Sequence, residues 1–499
     1  MLKIFGAGRP DHPLADPREL RRILDALPAQ DQKALEELAH WHESVGTAEG
    51  FKLEQRFQLL VALDDAAQPR LRKLSRDYLA AARPSRYQET QMWTRIHDYW
   101  KHAAHAYALC LDAAPPKAGD KVLPLAVVRA LRAFAQQIKW LHVRYGPMDR
   151  ASWSALGKAY AFAESRGLAE AAVVLNPSNP RQTTARQEFL GAMMFSASSP
   201  DSLLPLEVEL AERLIAELAP GFAIAAQPAA DLPYWIDLGQ PMAPQRGAKV
   251  PPRQGPGVRC FGPGGAGAKL LELMKRTAAA RQVPADLNLG GTYAPEVALD
   301  VMQHLALYWS PEPPERQHPR HSVKSRITIA HGFNGVLEAL GGGASLDFDK
   351  SAAESWIVDN VSAGGFGAVV PQAKSDWLRV GSLLAMQPEG GQNWVVGLVR
   401  RVNKLATQEA RVGIQTLSRA PLTARFTIRG LGEQVAMLLP PPGPATGEVA
   451  IALPAGLFTP GVNLEAEFDG CQHVYLPQGV AERGEDYEIA RFREMVREA

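Results

Sequence analysis

The chain has 499 residues, 46% hydrophobic and 21% charged, which is long enough for about three domains and too apolar for global disorder. Its 54 basic and 53 acidic residues leave a net charge of +1, without the basic excess that a nucleic-acid binder uses to displace counterions. Three scattered cysteines, Cys110, Cys260 and Cys471, lack CxxC spacing and argue against a disulfide framework or a zinc site. Reduced thiols, an N-terminus without a signal-peptide apolar stretch, and no apolar run of roughly 20 residues together lead us to expect a cytoplasmic protein without membrane insertion.

Residues 1–220 read as a helical domain. Asp16-Pro17-Arg18-Glu19 is a helix start: Asp16 can cap, Pro17 has no N–H to leave unpaired, and Glu19 completes a capping box. Leu20, Ile23, Leu24 and Leu27 follow at helical spacing. Further helices are expected over 31–44, 57–82, 88–111 and 123–145. Trp153, Leu156, Gly157, Tyr160, Gly167 and Ala169 are spaced like a tetratricopeptide repeat, with a weak echo at Leu190, Gly191 and Met194. One good repeat and one poor one leave two readings open, a bundle or TPR-like hairpins.

Residues 221–310 read as a mixed α/β connector. Short strands are expected at 234–238 and 257–261, and helices at 268–276 and 295–309. Between them Gly262-Pro263-Gly264-Gly265-Ala266-Gly267 fits GxGxxG. A dinucleotide site there needs a buried strand before it and an acidic residue ending a second strand. The preceding run is short and proline-flanked, and Asp286 falls in a loop, so a flexible turn into a helix is the plainer reading.

From Arg326 onward strands dominate, at 327–329, 356–358, 394–399 and 412–414. Two clusters frame this region. Arg316-Gln317-His318-Pro319-Arg320 follows the run Pro311-Glu312-Pro313-Pro314-Glu315, and Asn360-Val361-Ser362-Ala363-Gly364-Gly365 ends the 356–358 strand. As patterns they are RxxxR and [DN]xSxxG. Guanidinium groups bind phosphate bidentately and match the O6/N7 edge of guanine. Pro319 biases His318 away from helix and stiffens the arm, which lowers the entropy lost on binding. The Asn360 amide and the Ser362 hydroxyl can pair with a guanine edge. Gly364 and Gly365 are expected to allow a positive-φ turn and close ligand approach. The tail, 421–499, reads as a β-rich segment with strands at 424–428 and 474–476 and a charged terminal helix over 485–497.

The two clusters, in this order, resemble the signature of PilZ domains, small antiparallel β-barrels that bind cyclic di-GMP in bacterial second-messenger signalling. The resemblance covers Glu315 to Ser418, and residues 311–420 form the implied barrel. It implies ligand-binding roles for Arg316, Arg320, Asn360, Ser362 and Gly365, the arginines toward phosphate and guanine and the strand end toward a guanine base. The expected fold is thus α+β and multidomain. The expected function is a cyclic di-GMP receptor, not an enzyme, with no metal or other cofactor, whose ligand rearranges neighbouring domains or a protein partner held by the helical region. Two alternatives stay open: a helical-repeat scaffold whose PilZ-like barrel does not bind, and a dinucleotide-dependent enzyme using the Gly262–Gly267 loop. No Gly-x-Ser-x-Gly, HExxH or kinase signature is present, nor the GGDEF or EAL patterns of messenger turnover. His97, His102 and His105 share a predicted helix with four large aromatics and read as packing residues.

Overall fold

The computed structural model describes residues 10–80, 85–114, 122–176, 179–312, 318–341, 354–371, 377–405, 409–440, 448–468 and 470–497. The chain divides into two compact units, Met1–Pro200 with Pro205–Pro314, and Asp201–Leu204 with Glu315–Ala499.

The first unit opens with α1 (Pro17–Asp25), α2 (Asp31–Thr47), α3 (Leu53–Leu79), α4 (Arg86–Asp112), α5 (Leu123–His142) and α6 (Arg150–Ser165). The hairpin β1 (Val173–Asn176) and β2 (Asn179–Thr183) leads to α7 (Ala185–Ala197) and α8 (Pro205–Leu218). Asp16 caps α1 through the Arg18 N–H, but Glu19 turns to Arg22 instead of closing a capping box. The full box is at α4, where Ser85 and Gln88 satisfy each other's backbone N–H.

The repeat-like residues pack without making a repeat. Trp153, Leu156, Gly157 and Tyr160 are buried on one face of α6, and Tyr160 stacks on Phe189 at 3.9 Å. Gly157 is needed because a Cβ there would lie 2.6 Å from the Leu238 carbonyl oxygen. Gly167 makes the turn at φ +68, but the chain then forms the β1–β2 hairpin and helix resumes only at Ala185. The region is a bundle, not TPR-like hairpins, because the second half of the supposed repeat pairs as strands.

A polar centre is buried among these helices. Asp64 accepts from Tyr99 at 2.9 Å, from Tyr107 at 3.4 Å and from Arg129 at 2.5 Å. With its proton directed at Asp64, Tyr99 can only accept from His42 Nε2, 3.2 Å away. His42 is therefore the neutral Nε2–H tautomer, and its Nδ1 is buried without a partner. Burial pulls the imidazole down to about 4. Unfolded, the ring takes its proton near 6.5, so stability is intact above that pH and is lost as pH falls from 6.5 through 4. We expect a loss on the order of 3 kcal/mol across that window from this group. Urea denaturation followed by helical circular dichroism checks it, and His42→Asn should flatten the dependence.

Next come β3 (Ala223–Ala225), β4 (Tyr234–Asp237), β5 (Gln245–Arg246), β6 (Val258–Gly262), α9 (Gly265–Ala280) and α10 (Pro295–Trp309). The four strands form one sheet, β3-β6-β4-β5, antiparallel at every pair. The glycine loop lies between β6 and α9, without the parallel βαβ setting that a dinucleotide fingerprint requires. Its glycines serve the chain itself: a Cβ on Gly264 would lie 2.6 Å from the Gly221 carbonyl oxygen. Asp286 is paired with Arg276 at 2.8 Å. This is the turn into a helix, not a phosphate cradle.

The second unit contains β7 (His321–His331), α11 (Gly332–Ala339), β8 (Glu354–Ser362), β9 (Gly365–Pro371), β10 (Leu383–Pro388), β11 (Val395–Lys404) and β12 (Glu409–Ser418). Strands β7–β12 close a barrel in the order β10-β11-β12-β9-β8-β7. A second set follows, β13 (Leu422–Ile428), β14 (Gly432–Leu439), β15 (Glu448–Pro454), β16 (Leu464–Phe468), β17 (Cys471–Arg483) and β18 (Tyr487–Arg497). It closes another barrel, β13-β14-β15-β18-β17-β16. In each set the first three strands pair in sequence, the third pairs with the sixth, and the fourth closes on the first. The tail is thus a second barrel of the same topology.

The charged terminal helix expected over 485–497 does not form; that segment is β18. Tyr487, Ile489 and Phe492 are buried while Arg491 and Arg493 face outward, and β18 is paired on both sides, to β15 and to β17. Two ladders and buried aromatics override the helix propensity of its Glu and Arg residues. The barrels share an apolar seam in which Phe333, Leu383 and Leu398 meet Met437, Tyr487 and Ile489. The Tyr487 hydroxyl donates to the Gly381 carbonyl at 2.6 Å, satisfying its one polar group.

Candidate ligand site at the mouth of the first barrel

The site is built on the hairpin β8–β9. Trp356 and Val358 point into the barrel, and alternation would send residue 360 the same way. A bulge at Asp359 breaks the register: Val358 lies opposite Ala368, and Asn360 opposite Gly367. Such a bulge re-aims the side chains beyond it. The Asn360 amide lies over Gly367, where a Cβ would come within 2.7 Å of Oδ1. Asn360 Nδ2 donates to the Asp359 carboxylate, while Oδ1 is buried with no partner. A buried acceptor left unpaired costs about 1–3 kcal/mol, so this atom is poised for a donor.

Ser362 and Gly365 face each other across the two-residue turn Ala363–Gly364, and Ser362 Oγ donates to the Gly365 carbonyl at 3.3 Å. The hydroxyl's lone pairs remain able to accept. Neither turn glycine has the expected positive φ. Gly365 is required instead by packing: a Cβ would collide with the Ile414 carbonyl oxygen of β12 and lie 3.2 Å from the Gln415 Cα. A Cβ on Gly364 would meet only the His318 ring, at 3.0 Å, so the arm that carries the arginines already lies against the turn.

β7 starts at His321, opposite Val361, with Ser322 opposite Asn360. Arg320 precedes it and is therefore beside the Ser362 end of β8. Its guanidinium is exposed and has no hydrogen-bond or ion-pair partner among the described residues. Arg320, Asn360, Ser362 and Gly365 thus converge at one end of the barrel. Arg316 lies outside the described residues.

Sequence reasoning missed the contribution of β12. The Thr416 N–H donates to the Gly364 carbonyl at 3.0 Å, and Arg419 Nη2 to the Ala363 carbonyl at 2.9 Å. Both carbonyls of the turn are therefore held from the strand end that leads into the second barrel. No motif signals this, since Arg419 is over fifty positions beyond Ser362 and only barrel closure unites them.

Residues 347–421 match the family model described as the middle PilZ domain of the cyclic-di-GMP receptor FimW, and residues 18–229 match that of its N-terminal domain. The chain belongs to the FimW family of cyclic-di-GMP receptors. The two matches together span more than half of the chain, and the PilZ match includes Asn360, Ser362 and Gly365 as well as Arg419. The arginine arm precedes it. No curated protein matches this FimW-family chain. Among its described residues, no His, Cys, Asp and Glu side chains cluster to hold a metal, and no helix is long and apolar enough to cross a membrane.

Proposed function

We propose that this cytoplasmic receptor captures cyclic di-GMP between the arginine arm and the β8–β9 hairpin of its first barrel. In this reading Arg316 and Arg320 take the phosphates and a guanine Hoogsteen edge. Asn360 Oδ1 accepts from the guanine N1–H or N2–H2, Ser362 holds the same edge, and Gly365 keeps the hairpin close to β12. The unpaired, buried Oδ1 of Asn360 carries the assignment, because it lacks only a donor. Ligand can shift an equilibrium only through a difference in affinity between two states. The arm supplies that difference if it closes over bound nucleotide. Residues 1–220 then serve as the surface for a protein partner, and 311–420 as the sensor.

Calorimetric titration tests this reading. We expect cyclic di-GMP to bind at least about 100-fold more tightly than cyclic di-AMP or GTP, since adenine lacks O6 and N2–H2 and would leave buried polar groups unpaired. Equal affinity for the adenine analogue, or no binding of either, would favour a scaffold whose barrel has lost its ligand.

A further inference from the structure

The connection between the two barrels is three residues long, Arg419-Ala420-Pro421, from the end of β12 at Ser418 to the start of β13 at Leu422. Its first residue does not face away from the site. Arg419 reaches back 56 positions to the Ala363 carbonyl in the motif turn. That single hydrogen bond uses one of the five guanidinium N–H groups. Arg419 is exposed, and among the described residues no carboxylate pairs with it. This differs from Arg400, whose charge is committed to Glu482 at 2.7 Å and whose Nε donates to Gln415 at 2.7 Å. A guanidinium held at a ligand turn with four donors unspent and no counter-charge is oriented for an anion or a guanine O6/N7 edge.

We infer that Arg419 is a third ligand-binding arginine, donating to a phosphate or guanine of cyclic di-GMP from the inter-barrel linker. The inference rests on ligand capture at this mouth and adds to it a residue outside both sequence motifs. It also makes the linker part of the site. The Ala363 carbonyl fixes the guanidinium before ligand arrives, so less side-chain entropy is lost on binding than for an arginine on a free arm. Occupancy then restrains the residue from which β13 starts three positions later.

The test must separate ligand contact from bracing of the turn. Arg419→Gln keeps a donor for the Ala363 carbonyl and removes the charge. We expect it to weaken cyclic di-GMP binding at least about ten-fold in calorimetry and to flatten the decline of affinity with salt, leaving the ligand-free melting temperature unchanged. Arg419→Lys should recover part of the affinity. Arg425→Ala, which removes an exposed arginine from β13 in the second barrel, should change neither quantity and serves as the control. Wild-type affinity in Arg419→Gln overturns the inference, as does weaker binding with an unaltered salt dependence, which would mark a brace only. If the unmodified protein fails to bind cyclic di-GMP, the site reading itself falls, and this inference falls with it.

Discussion

Replacing Arg316 and Arg320 together by alanine should lower the affinity for cyclic di-GMP by at least about 100-fold, each substitution alone contributing part of the loss. That part should be about 1.5–3 kcal/mol, the range for losing a hydrogen bond to a charged group. Arg320 is exposed and makes no hydrogen bond or ion pair among the described residues, so its guanidinium gives up no internal interaction when it engages ligand. For the same reason Arg320→Ala alone should move the ligand-free melting temperature little. Wild-type affinity should decline with salt because the ligand carries two phosphate charges, and each substitution should flatten that decline. Lysine at either position rescues in part, since an ammonium cannot reproduce the planar fork. Calorimetry at two salt concentrations measures all of this. Undiminished binding by the double variant would mean that the RxxxR match is accidental.

The readable parts of the sequence are those in which local chemistry decides. The helices from α2 to α5 follow from apolar spacing, and α10 occupies the range its pattern predicts. The motif hairpin was legible because Asn360, Ser362 and Gly365 lie within six positions on one strand end and turn. What escaped depends on distant pairing. β18 carries a helix-like charge pattern, and only its place between β15 and β17 makes it a strand. The residues after Gly167 were compatible with a second repeat helix until β1 and β2 paired. The second barrel has no motif at its own strand ends, so its likeness to the first lies in strand order alone. At Gly365 the sequence suggests backbone freedom, whereas the structure demands room for the Ile414 carbonyl. Arg419 was invisible because its partner at Ala363 is brought to it by barrel closure.

That distinction between the two turn glycines makes a sharp comparison. Gly365→Ala places a methyl group against the Ile414 carbonyl oxygen, with the Ile414 carbonyl carbon at 3.0 Å and the Gln415 Cα at 3.2 Å. All of these atoms are backbone, so no side chain can swing away. Gly365 cannot retreat either, because it is paired to Gln415 on one side and to Ser362 on the other. The hairpin must separate from β12, breaking the Thr416 and Arg419 bonds to the turn and dismantling the mouth of the barrel. Overpacking of this kind costs about 3 kcal/mol where neighbours cannot yield. We expect Gly365→Ala to lower the unfolding midpoint of the barrel unit and to lose ligand binding together with it. The first unit, with its own core, should keep its helical circular dichroism transition. Gly364→Ala meets only the end of the His318 side chain, which can rotate, and should leave the midpoint nearly unchanged. Ser362→Ala belongs with the milder class for stability, since the hydroxyl it removes makes one hydrogen bond of 3.3 Å. Urea denaturation of the three variants, each paired with a cyclic di-GMP titration, orders them. Should Gly365→Ala unfold and bind like the wild type, the close approach of β9 to β12 would not be what holds the site together.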